Sequence, residues 1–318
     1  MKQVDSQFPT IENKRCKVSV CIPTYNHAHF LIDAIESVLA QTFTDIELIV
    51  VDNCSTDNTK EVVDKIISVD RRVKYFCNEA NIGPVKNLNR SLAYAHGEYV
   101  KILCADDMLE PTCLEKEVNV LDHHPRVVLV TSARLLVAKD LRTTGTLSYS
   151  DTFEIVDGFR AINRCLQHGN LIGEPSAVLF RRKLAGRGFE ERYRQTIDLE
   201  MWFYLLEQGA LASIPEALCK FRQHAEQWTK TNVRSLDFSD EFLLLKDYLG
   251  KSYVTLHYFE KMIAKFNRAN HIWHWGSDLS FGDKMARIAK NFNPILFVFM
   301  LFLKKINRLC IGLFRKQI

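Results

Sequence analysis

The sequence predicts an α/β fold: a mostly parallel central sheet flanked by helices, with a helical C-terminal extension. Two observations predict it. Short apolar, β-branched runs alternate with helix-length segments through the first half of the chain, as in strand–crossover–strand units. Three of those runs also stop at polar, turn-forming residues: Pro23–Asn26, Asp52–Ser55 and Asp106–Asp107. In a parallel sheet such ends share one edge, where ligands sit.

The elements follow in order. Residues 1–16 are polar and read as a flexible leader. Residues 18–22 form a buried strand stopped by Pro23. Leu31, Ile35, Val38 and Leu39 recur at helical spacing and predict a helix over 28–40. Residues 46–51 are a second strand. Ser55 or Asp57 could cap the helix that carries Val62, Val63, Ile66 and Ile67. A third strand spans 73–76, a loop 78–87, and a helix 88–95 is ended by Gly97. The strand at 99–103 leads into Asp106–Asp107. A helix over 114–123, a strand over 127–130, a surface loop or hairpin over 139–157 and a helix over 159–168 come next. Residues 176–180 read as a strand, 198–209 as an amphipathic helix, 212–221 as a proline-broken extended segment, and 235–266 as helical. The domain organisation expected is a leader (1–16), one half-domain at 17–125, a second at 126–234, and a helical C-terminal region at 235–318.

Adjacent carboxylates at a strand end repel each other and are costly to bury without a cation or a hydrogen-bonded partner. Asp106–Asp107 is therefore a candidate site for a divalent cation that holds a phosphate. The competing reading is a polar corner, with Asp as turn former and Pro111 as stop.

Composition narrows the class. The chain has 318 residues, 47% of them hydrophobic and 25% charged, as in ordinary globular proteins. A net charge of +4 gives no argument for nucleic acid. No G-x-G-x-x-G follows the first strand and no P-loop occurs, which removes those two nucleotide-binding motifs. Nine scattered cysteines contain no C-x-x-C pair, so a zinc site is not expected. With an N-terminus that lacks an apolar signal region, they suit a reducing, cytoplasmic setting.

Taken together, two long blocks resemble the family 2 glycosyltransferases: VSVCIPTYNHAHFLIDAIESVLAQTFTDIELIVVDNCSTDNT and NEANIGPVKNLNRSLAYAHGEYVKILCADDMLEP. Weaker echoes run through IGEPSAVLFRR, TIDLEMW and FRQHAEQWT, so the resemblance covers about residues 17–230. It implies a GT-A fold, an inverting mechanism of the bacterial surface-polysaccharide type, and a nucleotide-sugar donor, with UDP favoured.

The resemblance also implies roles. Pro23, Thr24, Tyr25 and Asn26 fall where the family contacts base and ribose. Asp52 falls where a carboxylate bonds the base, with Asn53 and Ser55 in the same turn. Lys86 and Asn87 match a position near base and phosphates, with Lys86 where arginine is commoner. Asp106 and Asp107 match the end of the D-x-D signature, which holds Mn2+ or Mg2+ against the diphosphate. Cys104 stands where the first aspartate is often found, and a neutral thiol is a poor ligand for a hard cation. His224 fits a position that can add an imidazole ligand, and Arg222 one that could bind phosphate. Asp198 matches the general base, with Glu200 as second candidate. Its place at a helix N-terminus is expected to lower its pKa and weaken it as a base.

The acceptor expected is a hydroxyl of a glycan or lipid-linked oligosaccharide. Two other readings compete. The departure at Cys104 leaves room for a nucleotide-sugar-binding protein without transfer activity. A nucleotidyltransferase would carry a Gly-rich basic loop after the first strand, which PTYNHAHF does not supply. The tail, 292–318, interleaves apolar and basic residues around an apolar run, 295–303, of about half the ~20 residues that span a bilayer. It reads as an interfacial amphipathic helix at the inner face of the cell membrane or as a helix packed on protein, and Trp273 and Trp275 could join that surface.

Overall fold

The first strands line up as their apolar runs require. Val18–Thr24 (β1), Ile46–Asp52 (β2), Val73–Cys77 (β3) and Tyr99–Ile102 (β4) pair in parallel in the order β3-β2-β1-β4. Side chains alternate between two cores: Val18, Val20, Ile22, Leu48 and Val50 enter one, Cys21, Ile49 and Val51 the other. With both faces covered, such strands show no polar alternation. The structure is a computed structural model and describes residues 16–224, 227, 239–275 and 279–314. The leader expected over 1–16 lies, except for Cys16, outside the described residues, as do parts of FRQHAEQWT and the last four residues of the tail.

The helices Ala28–Leu39 (α1), Thr59–Ile67 (α2), Pro84–Tyr94 (α3) and Cys113–His123 (α4) link these strands to the rest. Leu31 and Ile35 of α1, Val63 of α2 and Leu114 and Leu121 of α4 cover one face. Val85 and Leu88 of α3 lie on the other. The remaining elements are Met108–Leu109 (β5), Val127–Ala138 (β6), Thr143–Leu147 (β7), Glu154–Val156 (β8), Gly158–His168 (α5), Val178–Arg181 (β9), Ile197–Leu206 (α6) and Ala210–Gln223 (β10). The helices Ser239–Leu249 (α7), Tyr258–Trp275 (α8), Phe281–Ala289 (α9) and Pro294–Phe314 (α10) complete the chain. Core residues of α5 to α10 join the α3 face.

Among the described residues, ten strands form one sheet, β3-β2-β1-β4-β9-β6-β10-β5, with β7 on β6 and β8 on β10. The sheet is more mixed than the sequence predicts. β6 and β10 are parallel, but β9 is antiparallel to both β4 and β6, and β5, β7 and β8 are antiparallel additions. A short strand buried on both faces looks the same in sequence whichever way it pairs. β4, β9 and β6 also carry the sheet across the boundary expected near residue 125.

Other differences have local causes. The strand expected over 127–130 runs to Ala138 because Thr131, Ser132 and Arg134, polar in sequence, are at most 3% exposed. The segment 212–221 is a paired strand, and Pro215 is tolerated at a shift of register between Ile214 and Ala217. The strand expected over 176–180 begins with a 3-10 turn, Pro175–Ala177. The helical stretch expected over 235–266 is broken between α7 and α8. Asp57 supplies the side-chain cap bond at the start of α2, its Oδ1 accepting from the Thr59 amide at 3.1 Å, and the N-cap position itself falls one residue later. That residue is Asn58, and it makes no side-chain cap bond.

Candidate active site

The register sets the site edge. Thr24 lies opposite Asp52, and Asp52 opposite Cys77, so β1, β2 and β3 end level. The first two loops interlock. Asn26 donates its amide to Ser55 Oγ at 2.8 Å, and its side chain accepts from the Thr56 amide at 2.8 Å. Asn26 and Cys54 sit at φ 55° and 64°. Asparagine adopts this left-handed conformation readily, whereas cysteine there carries strain of the kind found at binding loops.

Asp52 is 2% exposed. Its carboxylate accepts from the Ser55 hydroxyl at 2.6 Å, the Ser55 amide at 2.9 Å and the Tyr75 hydroxyl at 2.6 Å. It thereby shapes the turn that carries Ser55. Asn53, Asn78 and Asn87 form an amide network: Asn78 donates to both Asn53 and Asn87 at 2.9 Å, and Asn87 donates to the Val51 carbonyl at 3.0 Å. Asn87 is buried in that network, while Lys86 beside it is exposed. Tyr25 is 42% exposed, so an aromatic face is open at the end of β1.

The two aspartates past β4 have different surroundings. Asp107 is 1% exposed, and its oxygens accept from the Ser176 hydroxyl at 2.5 Å and the Arg222 amide at 3.0 Å. Burial and then the charge of Asp106 push its carboxyl well above the usual carboxylate range. Asp107 thus ties the β4 end to β10 and to the turn before β9. Asp106 stays partly exposed and meets His224 Nε2 at 2.8 Å. Phe30 of α1 packs beneath, with its ring centroid 4.7 Å from that of His224.

A cation fits this donor set. Ligand atoms of Cys104, Asp106 and Asp107 lie within 4.8 Å of one another. Burial, followed by the charges of Asp107 and Asp106, pushes the Cys104 thiol well up and keeps it neutral, so the thiol is the weak donor. Asp106 is the outward carboxylate and His224 the adjacent imidazole. The Arg222 guanidinium is held by Asp33 at 2.6 Å and stacked over Phe30 at 4.6 Å.

Asp198 lies in the first turn of α6. Its carboxylate accepts from Asn170 Nδ2 at 3.1 Å. The expected lowering of its pKa is reversed: burial, aided by the charge of Glu174, pushes it up to about 7, against the opposing pull of backbone amides and Arg134. Desolvation therefore outweighs the helix N-terminus, and the carboxyl is matched to base chemistry near neutrality. Glu200, the second candidate, faces away. It is bound by Arg187 at 2.9 Å and by the Tyr248 hydroxyl at 3.2 Å.

The segment 170–176 joins the Asp107 corner to Asp198. Ser176 holds Asp107, Asn170 holds Asp198, and Glu174 between them pairs with Arg134 at 2.5 Å. Gly173 sits at φ +113°, and a Cβ there would lie 2.9 Å from the Arg134 guanidinium carbon, so this position needs glycine. Asn170, Glu174, Ser176 and Arg134 were not singled out from the sequence. The only signal for Glu174 and Ser176 was their place within IGEPSAVLFRR.

Comparison with known proteins agrees with this architecture. The model of the family "Glycosyl transferase family 2" matches residues 19–189. The Bacillus subtilis putative glycosyltransferase EpsE is 30% identical over 73% of this chain and 81% of its own. The B. subtilis putative teichuronic acid biosynthesis glycosyltransferase TuaG is 28% identical over 64% of this chain and 78% of its own. Among solved structures, S. aureus TarS 1-349 in complex with UDP-GlcNAc superposes with a TM-score of 0.62 at 21% identity, over 81% of this chain and 73% of that one. The mannosyltransferase PcManGT from Pyrobaculum calidifontis, in complex with GDP-Man and Mn2+, gives 0.60 at 17% identity, over 93% and 81%. The chain belongs to glycosyl transferase family 2 and has the GT-A fold.

Proposed function

We propose that this glycosyltransferase moves a sugar from a nucleotide-sugar, UDP-linked by preference, to a hydroxyl of a glycan or lipid-linked oligosaccharide in polysaccharide synthesis, with inversion. The observation that carries the reading is Asp198, a carboxyl pushed up to about 7 and tied by the segment 170–176 to the Asp106 corner. The polysaccharide setting is supported by the name of TuaG, and the donor class by the UDP-GlcNAc and GDP-Man complexes of the structural relatives.

In this reading the interlocked loops at Pro23–Asn26 and Asp52–Ser55 seat the base and ribose, with Tyr25 as the stacking face. Lys86 is an exposed charge beside the phosphates. Asp106, with His224 and the buried Asp107 behind it, would hold Mn2+ or Mg2+. Such an ion, when bound, offsets the charge that develops on the leaving diphosphate. Asp198 removes the proton of the acceptor hydroxyl as that oxygen attacks the anomeric carbon from the face opposite the leaving group.

The test is a thermal-shift panel of nucleoside diphosphates with and without Mn2+. The reading expects the largest rise in Tm with UDP and Mn2+ together. No shift with any diphosphate would contradict it.

A further inference from the structure

The helix α10 has two unlike faces. Its inner face is seated on the protein: Phe297 is fully buried, its ring centroid 5.8 Å from Trp273 and 5.6 Å from Phe266, and Leu296, Met300 and Leu301 pack against the core. Its N-terminus is capped by Asn293, which accepts from the amides of Ile295 and Leu296 at 2.9 and 3.0 Å. The outer face carries Ile295, Val298, Phe299, Phe302 and Leu303, which are 81%, 49%, 55%, 61% and 47% exposed. Their spacing of three and four residues makes one continuous apolar stripe. Phe281 on α9, 66% exposed, meets Trp273, the ring on which Phe297 also packs. A contiguous apolar stripe in water on a well-seated helix marks an interaction surface.

Charge indicates the occupant. From Lys284 to Ile318 the sequence has eight Lys or Arg and no Asp or Glu. Lys290 and Lys305, one on each side of the stripe in sequence, are both exposed. A sequence of one charge sign flanking an apolar stripe, with Lys290 and Lys305 exposed, suits the headgroup and acyl boundary of an anionic bilayer. No single described helix is long and apolar enough to cross a membrane. With its inner face fixed on Phe266 and Trp273, α10 can offer only its outer side.

We propose that the outer face of α10 is a docking surface for an anionic lipid bilayer, on which the protein lies with this helix in the interfacial plane. This surface follows from exposure and charge alone and is independent of the reaction proposed for the site.

Flotation of the full chain with phosphatidylcholine vesicles, with and without phosphatidylglycerol, tests this. The wild type should float with the anionic vesicles, and raising the salt should weaken the association. F299D/F302D should lower the bound fraction at least about tenfold, and K290E/K305E by a smaller factor that shrinks in high salt. These side chains are exposed, so an unchanged Tm and circular dichroism spectrum will show that the variants are folded. Three results would overturn the proposal. The first is no flotation with anionic vesicles, and the second is equal flotation by F299D/F302D. The third is a wild-type dimer in light scattering that this variant dissolves, which would make the stripe an interface between copies.

Discussion

Asp198, the proposed base, has its carboxyl raised by desolvation, and desolvation has a stability cost of definite sign. Its carboxyl titrates at about 7 in the fold, above the ordinary value of about 3.9 for an unfolded chain. The fold therefore binds the extra proton between those values, and stability falls as pH rises through them. Asp198→Asn should be more stable than wild type at pH 8, by about 1–2 kcal/mol after allowance for partial exposure, with the difference vanishing toward pH 4. Denaturant titrations at the two pH values check this. The same carboxyl must be ionised to act, so transfer in the wild type should rise with pH through about 7. Glu174 raises that value by its negative charge. Glu174→Gln should move the acid limb of the kcat/KM profile to lower pH, and a limb that stays or moves upward would remove Glu174 from this role.

At the scale of elements, the first turn of α6 is held from outside itself. Asp240, in the first turn of α7, accepts from the amides of Arg194, Gln195 and Thr196 at 2.8, 2.6 and 3.1 Å. Thr196 is the N-cap of α6, so one buried carboxylate of the C-terminal region fixes the approach to the helix that carries Asp198. Asp240→Ala leaves these amides without that partner and should cost roughly 2–4 kcal/mol, read as a fall in Tm, together with a fall in kcat. Asp240→Asn, which keeps an acceptor oxygen, should recover much of both. None of this was legible in sequence, because an acidic residue in the first turn of a helix reads as a generic N-terminal preference. What was legible were elements with strong periodicity. The α1 apolar stripe and the β1 and β2 runs predicted their elements to within two residues. β6 was cut short because Thr131, Ser132 and Arg134 look like loop residues until pairing partners are known, and β10 read as broken because Pro215 cannot donate to a ladder.

At the scale of the molecule, one sheet edge gathers the loops after β1 and β2 and the corner after β4, and the segment before β9 ties that corner to α6. The residues that mark this edge, from Pro23 to Asp107, were readable because they follow strands directly. Glu174, Arg134 and Asn170 were not, because their role exists only once β9 is inserted antiparallel between β4 and β6. The division of labour between the aspartates also emerged only in three dimensions. Asp107 is held by Ser176 and the Arg222 amide, and Asp106, partly exposed, meets His224. Asp106→Ala should accordingly abolish the Mn2+-dependent part of nucleotide-sugar affinity in calorimetry, while the metal-independent part persists.

The most direct test of the central claim is acceptor-dependent release of nucleoside diphosphate from a UDP-sugar panel with crude lipid acceptor, measured side by side on wild type and Asp198→Asn. The wild type should release the diphosphate, and the variant should do so about 10²–10⁴-fold more slowly, with nucleotide-sugar binding near the wild-type value. Acceptor-dependent release that survives in Asp198→Asn would contradict that claim.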